Sequence, residues 1–235
     1  KIGIISSNAS DLGKYVAIMA GADPKDPTSC VQPAIGSRRK LKSVAVPVDA
    51  TEGVSEDVKK AFKDGLEGLK SMGVDVQKVE MSTLKYAIPA YYVIATSEAS
   101  TNLARYCGMR YGHQDGDLSL KFDDYFTSFR SQYFGEEAKR RILLGTFTRM
   151  VGFRDRYYSK ARNVRQSIIE EYRSVLSGCD AVLTPTMPFV SPKFSDISKM
   201  TPVESYKADI LTGPPNIAGM PHASVPCGYD RDGMP

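Results

Sequence analysis

Histidine is nearly missing from this sequence: 235 residues hold only His113 and His222. A nucleophilic triad needs one of them beside a serine or cysteine and an orienting carboxylate, and no local pattern supplies that setting. His113, in "YGHQDGD", reads as a loop residue. The same scarcity argues against a histidine-built metal site. Cysteine is sparse as well. Cys30, Cys107, Cys179 and Cys227 are far apart, so no pair has the close spacing of a zinc site or a redox motif. Scattered thiols with no secretory signal predict a reducing, cytoplasmic setting. No apolar run approaches the roughly 18 residues of a membrane helix. The most apolar window, "YAIPAYYVIATSEA", is too short and contains Pro89 and Glu98. The first residues lack the layout of a signal peptide. There is no G-x-S-x-G elbow, no P-loop and no G-x-G-x-x-G fingerprint. "SRRK", Ser37 to Lys40, fits S-x-x-K only in form. That motif opens a helix, whereas this one leads into a strand and reads as a solvated basic loop.

What is present is ordinary for a globular chain: 42% hydrophobic and 25% charged residues, enough for a sizeable core. Lys and Arg number 31 against 27 Asp and Glu, a net charge of +4. That mild excess names no polyanionic partner by itself. "SNASDLGKYVAIMAG" reads as a helix with Ser or Asp as cap, Leu12, Val16 and Met19 at helical spacing, and Gly21 as a stop. A polar, Pro-rich loop follows. "KSVAVPV" predicts a strand with Pro47 near its end. "SEDVKKAFKDGLEGLKSMG" predicts an amphipathic helix with Val58, Ala61, Phe62, Leu66 and Leu69 on one face, and "VDVQKVEM" a second strand. Strand, helix, strand with such a crossover implies parallel pairing.

The chain then turns helical. "LKYAIPAYYVIATSEASTNLARY", started or kinked by Pro89, "GEEAKRRILLGTFTRMVGF" and "RDRYYSKARNVRQSIIEEYRSVLSG" all read as helices. "DAVLTPT" predicts a buried strand. "PVESYKADILTGPP" predicts a short helix broken by Gly213, Pro214 and Pro215. The last stretch, "ASVPCGYDRDGMP", reads as a strand over Ala223 to Cys227 entering a tight turn at "RDG". About four strands are few for an open sheet. The expectation is an α/β body with a large helical insertion, whose remaining strands lie outside this sequence.

Three side chains are candidate ligands. Arg141 shares a helix face with Gly145, Thr148 and Gly152. Small residues beside a long cation either leave a groove for a carboxylate or serve close helix packing. Asp209, near the Gly-Pro-Pro loop, either holds an ammonium group or caps a turn. Tyr91 and Tyr92 precede the small polar face of Ser97, Ser100 and Thr101. An arginine, an aspartate and a tyrosine hydroxyl together suit a free α-amino acid. The basic helix with Arg156, Lys160, Arg162 and Arg165 among Tyr157 and Tyr158 is either a phosphate-tracking face or a solvated amphipathic surface.

At "YYVIATSEASTNLARY", "RRILLGTF", "YYSKARNVR" and "YKADILTGPPNIAGMPHASVPCG" the sequence resembles the amidase signature family. Within it, the resemblance is to the glutaminase subunits of amidotransferases that act on Glu-tRNA(Gln) or Asp-tRNA(Asn). The resemblance implies a mixed sheet flanked by helices, with residues 1–235 as a single incomplete domain, the second half of the family fold. It also implies glutamine hydrolysis by a Lys and two serines upstream of the matching segment. This chain is therefore expected to hold no catalytic residue and to be inactive alone. Three matched positions line the implied glutamine pocket. Arg141 takes the α-carboxylate, Asp209 the α-ammonium, and Tyr91 (with Tyr92 beside it) completes the set. No cofactor is implied for this chain. The implied partners are the B and C subunits of the amidotransferase, the first using ATP and Mg²⁺ and the second bridging, and misacylated tRNA reached through the complex. The setting is cytoplasmic, with no membrane partner. Two other readings stay open: a stand-alone amidase of this family, and a non-catalytic nucleic-acid-binding module.

Overall fold

A computed structural model describes residues 3–31 and 40–235. The S-x-x-K match falls on Ser37 and lies outside the described residues. Helix α1 (Ala9–Met19) is capped by Asn8, not by the expected Ser or Asp, and the Asn8 side chain accepts the Ser10 N–H at 2.9 Å. No α1 residue is buried. The sheet is built on β1 (Ser43–Pro47), whose Val44 and Ala45 are fully buried. An apolar run of this kind suits a central strand covered on both faces. Helix α2 (Glu56–Ser71) crosses to β2 (Asp75–Val79), which pairs parallel with β1. Gly73, at φ +80, supplies the left-handed residue that closes the helix. Strand β3 (Ala181–Val182) pairs parallel on the other side, giving the order β2-β1-β3. Asp180 accepts the Lys42 and Ser43 N–H groups at 2.8 and 3.0 Å, seating β3 at the start of β1.

Helix α3 (Ala87–Asn102) is the centre of the helical half and packs on three other helices. Pro89 sits in its first turn, where a missing N–H leaves no intrahelical bond unmade. Helix α4 (Phe122–Tyr133) is not among the helices that the periodicity picks out, and it buries Tyr125 and Phe129 one turn apart. Helix α5 (Glu136–Arg149) ends earlier than expected, and one π-helical turn over Asp155–Ser159 leads into α6 (Lys160–Gly178). The main core joins Ala87, Ala90 and Ile94 of α3 to Ala161, Ile168 and Tyr172 of α6. The Glu171 carboxylate binds both the N–H and the hydroxyl of Thr83, tying α6 to the approach to α3. Ile168 is fully buried. Ile168→Val is expected to cost about 1 kcal/mol. In a thermal melt that is a fall in Tm of roughly 2–4 °C.

Two expectations about the last third are corrected. After α7 (Phe194–Ile197), helix α8 (Pro202–Lys207) begins with a capping box between Thr201 and Glu204. The Gly-Pro-Pro run then opens a further helix, α9 (Gly213–Ala218), where a helix break was expected. Proline breaks helix interiors, but in the first turn its lost N–H would have had no partner anyway. Ala223 to Cys227 is not a strand. It runs exposed over α2, where Cys227 Cβ lies 3.4 Å from a Cβ built on Gly65, and Thr186 and Ser224 hydroxyls meet at 2.8 Å. A five-residue apolar run carries too little periodicity to identify a strand. The tight turn does form: Gly233 N–H donates to Asp230 O at 3.1 Å, with Gly233 at φ +77.

Candidate functional site

The site rests on the α3–α5 contact. Gly145 lets the two backbones approach so closely that a Cβ there would lie 1.9 Å from the Thr96 carbonyl oxygen. Beside it the buried hydroxyls of Ser97 and Thr148 meet at 2.8 Å, and Arg149 Nη2 donates to Ser100 Oγ at 3.0 Å. Gly145 and Thr148 of the Arg141 face therefore serve helix packing, whereas Gly152 lies beyond the end of α5 with open space around it, and Arg141 lies at the end of that face. Helix α9 packs on α3 through buried Gly213, Pro214, Ile217 and Ala218. This packing holds the turn that carries Asp209 against the same end of α3.

Two of the three expected ligands converge there. Tyr92 Oη donates to Asp209 Oδ2 at 2.6 Å. Arg141 Nε donates to Glu137 Oε1 at 2.9 Å, and Tyr206 Oη donates to the same oxygen at 2.8 Å. Arg140 binds the other oxygen of Glu137. The rings of Tyr92 and Tyr206 stack with centroids 4.2 Å apart, which joins the two halves of the network. Tyr91 is placed differently. It packs against the apolar core and meets Tyr92 edge-on at 5.1 Å, so Tyr92 is the tyrosine bonded to Asp209.

Electrostatics follow from these contacts. Burial, then the Asp209 hydrogen bond, pushes the Tyr92 phenol well above its ordinary value, so it stays a donor. Burial works against charge on Glu137, but the bonds from Tyr206, Arg141 and Arg140 outweigh it and hold its carboxyl below the usual value. Burial likewise opposes the Arg141 cation, and the Glu137 bond outweighs it, so the guanidinium stays charged. Among the described residues Asp209 is in no ion pair, and the terminal Nη groups of Arg141 make no hydrogen bond. The site thus presents a carboxylate outside any ion pair and an open guanidinium fork, which complement the ammonium and carboxylate of an α-amino acid. Glu137 and Tyr206 are the members of the cluster that sequence reasoning misses. Glu137 carries a signal, since it lies four residues before Arg141 on one helix. Tyr206 carries none.

Elsewhere the candidates resolve into structure. His113 stacks on Tyr133 at 4.9 Å, and Tyr133 Oη donates to Asp115. His222 is exposed, with Nδ1 3.1 Å from Met220 O. On the basic helix Arg165 donates to the Ile217 carbonyl at 2.9 Å, while Arg156, Lys160 and Arg162 are exposed. Among the described residues no three His, Cys, Asp or Glu side chains are grouped as metal ligands. No described helix is long and apolar enough to cross a membrane.

Residues 1–235 match the amidase family throughout. The chain belongs to the amidase family. Among curated relatives, this amidase chain is 39% identical over 240 residues to the A subunit of glutamyl-tRNA(Gln) amidotransferase from Sulfurimonas denitrificans, covering 100% of this chain and 53% of that one. It is 40% identical over 238 residues to the protein of the same name from Staphylococcus haemolyticus, covering 98% and 49%. The chain therefore spans about half the length of the curated relatives it matches. Among solved structures it superposes on the A subunit of the Thermotoga maritima glutamyl-tRNA(Gln) amidotransferase with a TM-score of 0.64 at 30% identity, over 95% of this chain and 45% of that one. A Kluyveromyces lactis allophanate hydrolase, at 20% identity and TM-score 0.66, shares the amidase fold over 96% of this chain and 34% of its own. These neighbours support the α/β class. The described sheet is the three-stranded parallel part of it.

Proposed function

We propose that this chain is the glutamine-binding half of the glutaminase subunit of a tRNA-dependent amidotransferase. The observation that carries the reading is the convergence of Arg141 and Asp209 on one end of α3, oppositely charged and joined by the Tyr92–Tyr206 stack. In this reading Arg141 binds the α-carboxylate of glutamine, Asp209 the α-ammonium, and Tyr92 fixes the Asp209 carboxylate. Tyr91, which the family resemblance places in the pocket, stands beside Tyr92 in the same set. The side-chain amide then points away toward the catalytic Lys and serines, which the family resemblance puts in the preceding half. There a serine attacks the amide carbon, backbone N–H groups hold the oxyanion, the serine proton passes to the leaving nitrogen as ammonia departs, and water then cleaves the acyl-serine to release glutamate. Ammonia passes to the B subunit, which uses ATP and Mg²⁺ to amidate Glu-tRNA(Gln) or Asp-tRNA(Asn), with the C subunit bridging the two.

The relatives' names, each an A subunit, support a place in a multi-subunit amidotransferase. The test compares ammonia release from glutamine by the protein expressed from its complete reading frame with that by residues 1–235 alone. Turnover is expected only from the former. Turnover by residues 1–235 alone would sink the assignment of chemistry to the other half. Cleavage of other amides in preference to glutamine, without partner subunits, would make the protein a stand-alone amidase.

A further inference from the structure

We infer that Glu137, acting with Tyr206, is the positioning residue that aims Arg141 at the α-carboxylate and fixes its distance from Asp209. The inference rests on the glutamine reading and extends it to residues that touch no substrate. An i, i+4 glutamate–arginine pair on an exposed helix is ordinarily a weak surface contact. This one differs because three donors converge on a single carboxylate: Arg140, Arg141 and the hydroxyl of Tyr206, which lies 69 residues away in sequence.

The geometry assigns a specific task to each contact. Glu137 takes the Nε–H of Arg141, so the guanidinium plane is fixed while both terminal Nη groups stay available as an end-on fork. The same Oε1 accepts the Tyr206 hydroxyl, whose ring stacks on Tyr92, whose own hydroxyl binds Asp209. A single carboxylate therefore connects the Arg141 side chain to Asp209 through one chain of contacts. It also sets the charge balance. Arg140 and Arg141 both bind Glu137, and Asp209 adds the second carboxylate, so the cluster is neutral and a zwitterionic ligand leaves it neutral. An amide with no α-carboxylate would leave the Arg141 fork unpaired and gain only the Asp209 contact.

The test uses protein expressed from the complete reading frame and two substrates: glutamine, and 4-aminobutanamide, which is glutamine without its α-carboxylate. Glu137→Ala is expected to raise the KM for glutamine roughly 10- to 100-fold. Its kcat should stay within about threefold, because the lost interaction serves ground state and transition state alike. The KM for 4-aminobutanamide should rise far less, because that amide has no carboxylate for Arg141 and keeps only the ammonium that Asp209 meets. Glu137→Gln, which keeps an acceptor oxygen, should recover part of the loss. Should the alanine variant fail to fold, Tyr206→Phe removes one hydroxyl only, with an expected rise of about 3- to 10-fold in the KM for glutamine. An unchanged glutamine KM, or an equal loss for both amides, would overturn the role of Glu137. If the unaltered protein takes 4-aminobutanamide as readily as glutamine, the glutamine reading fails first and the inference falls with it.

Discussion

Arg141→Ala, in protein expressed from the complete reading frame, is expected to raise the KM for glutamine about 100-fold, or close to 2.7 kcal/mol. Truncating one partner of a buried, hydrogen-bonded charge pair costs about 2–5 kcal/mol. The Arg141 side chain is 34% exposed, so solvent screening places the expected loss in the lower part of that range. The fork is the reason for the size. Its Nε is already bound to Glu137, and in the proposed reading the two Nη groups would supply parallel, charge-assisted bonds to the α-carboxylate. Arg141→Lys keeps the charge and loses the fork, so it should recover only part of the affinity. Ammonia release measured against glutamine concentration separates KM from kcat. A fall in kcat at unchanged KM would mean that Arg141 acts on the reacting amide and not on the α-carboxylate.

The parts of the fold legible in sequence are those where one local signal decides. The βαβ unit is legible because Val44 and Ala45 lie in an unbroken apolar run and α2 has acidic residues at its start and Gly73 at its end. The Gly-Pro-Pro run misleads because proline has opposite meanings in a helix interior and in a first turn, and only packing against α3 distinguishes them. Ala223 to Cys227 misleads because a sheet partner is a tertiary fact that a five-residue run cannot encode. Helix α4 is readable in principle, from Asp123 and Asp124 in its first turn and the Tyr125–Phe129 spacing.

The site divides along the same line. Residue type and neighbours mark Arg141 and Asp209 only as candidates, the family resemblance chooses between their two readings, and the structure brings both to one end of α3. The choice between Tyr91 and Tyr92 could not come from sequence. Adjacent helical residues point about 100° apart, and which direction faces Asp209 depends on how α9 docks. Tyr206 joins the cluster only because its hydroxyl, on α8, reaches Glu137 of α5, a contact between residues distant in the chain. In the proposed reading, selectivity for an α-amino acid would follow from how these helices meet.

Gly145→Ala tests that dependence at its narrowest point. Alanine is the better helix former by about 1 kcal/mol, so on an isolated α5 the change would stabilise. Here the added Cβ would lie 1.9 Å from the Thr96 carbonyl oxygen, 2.4 Å from its carbon and 2.9 Å from Ser100 Cβ. The first two are backbone atoms of a helix and cannot swing aside, so α3 and α5 must separate. Separation also strains the buried Ser97–Thr148 hydroxyl pair and the Arg149–Ser100 bond. Overpacking and broken buried bonds together outweigh the propensity gain, and the net loss is expected to be about 2–3 kcal/mol. For a chain of this size that lowers Tm by roughly 5–10 °C. Glutamine affinity should fall as well, although Gly145 touches no ligand, because Tyr92 and Arg141 are carried on the two helices that move. An unchanged or higher Tm would mean that helix propensity wins, and that the α3–α5 spacing is not what holds the pocket's two ends in register.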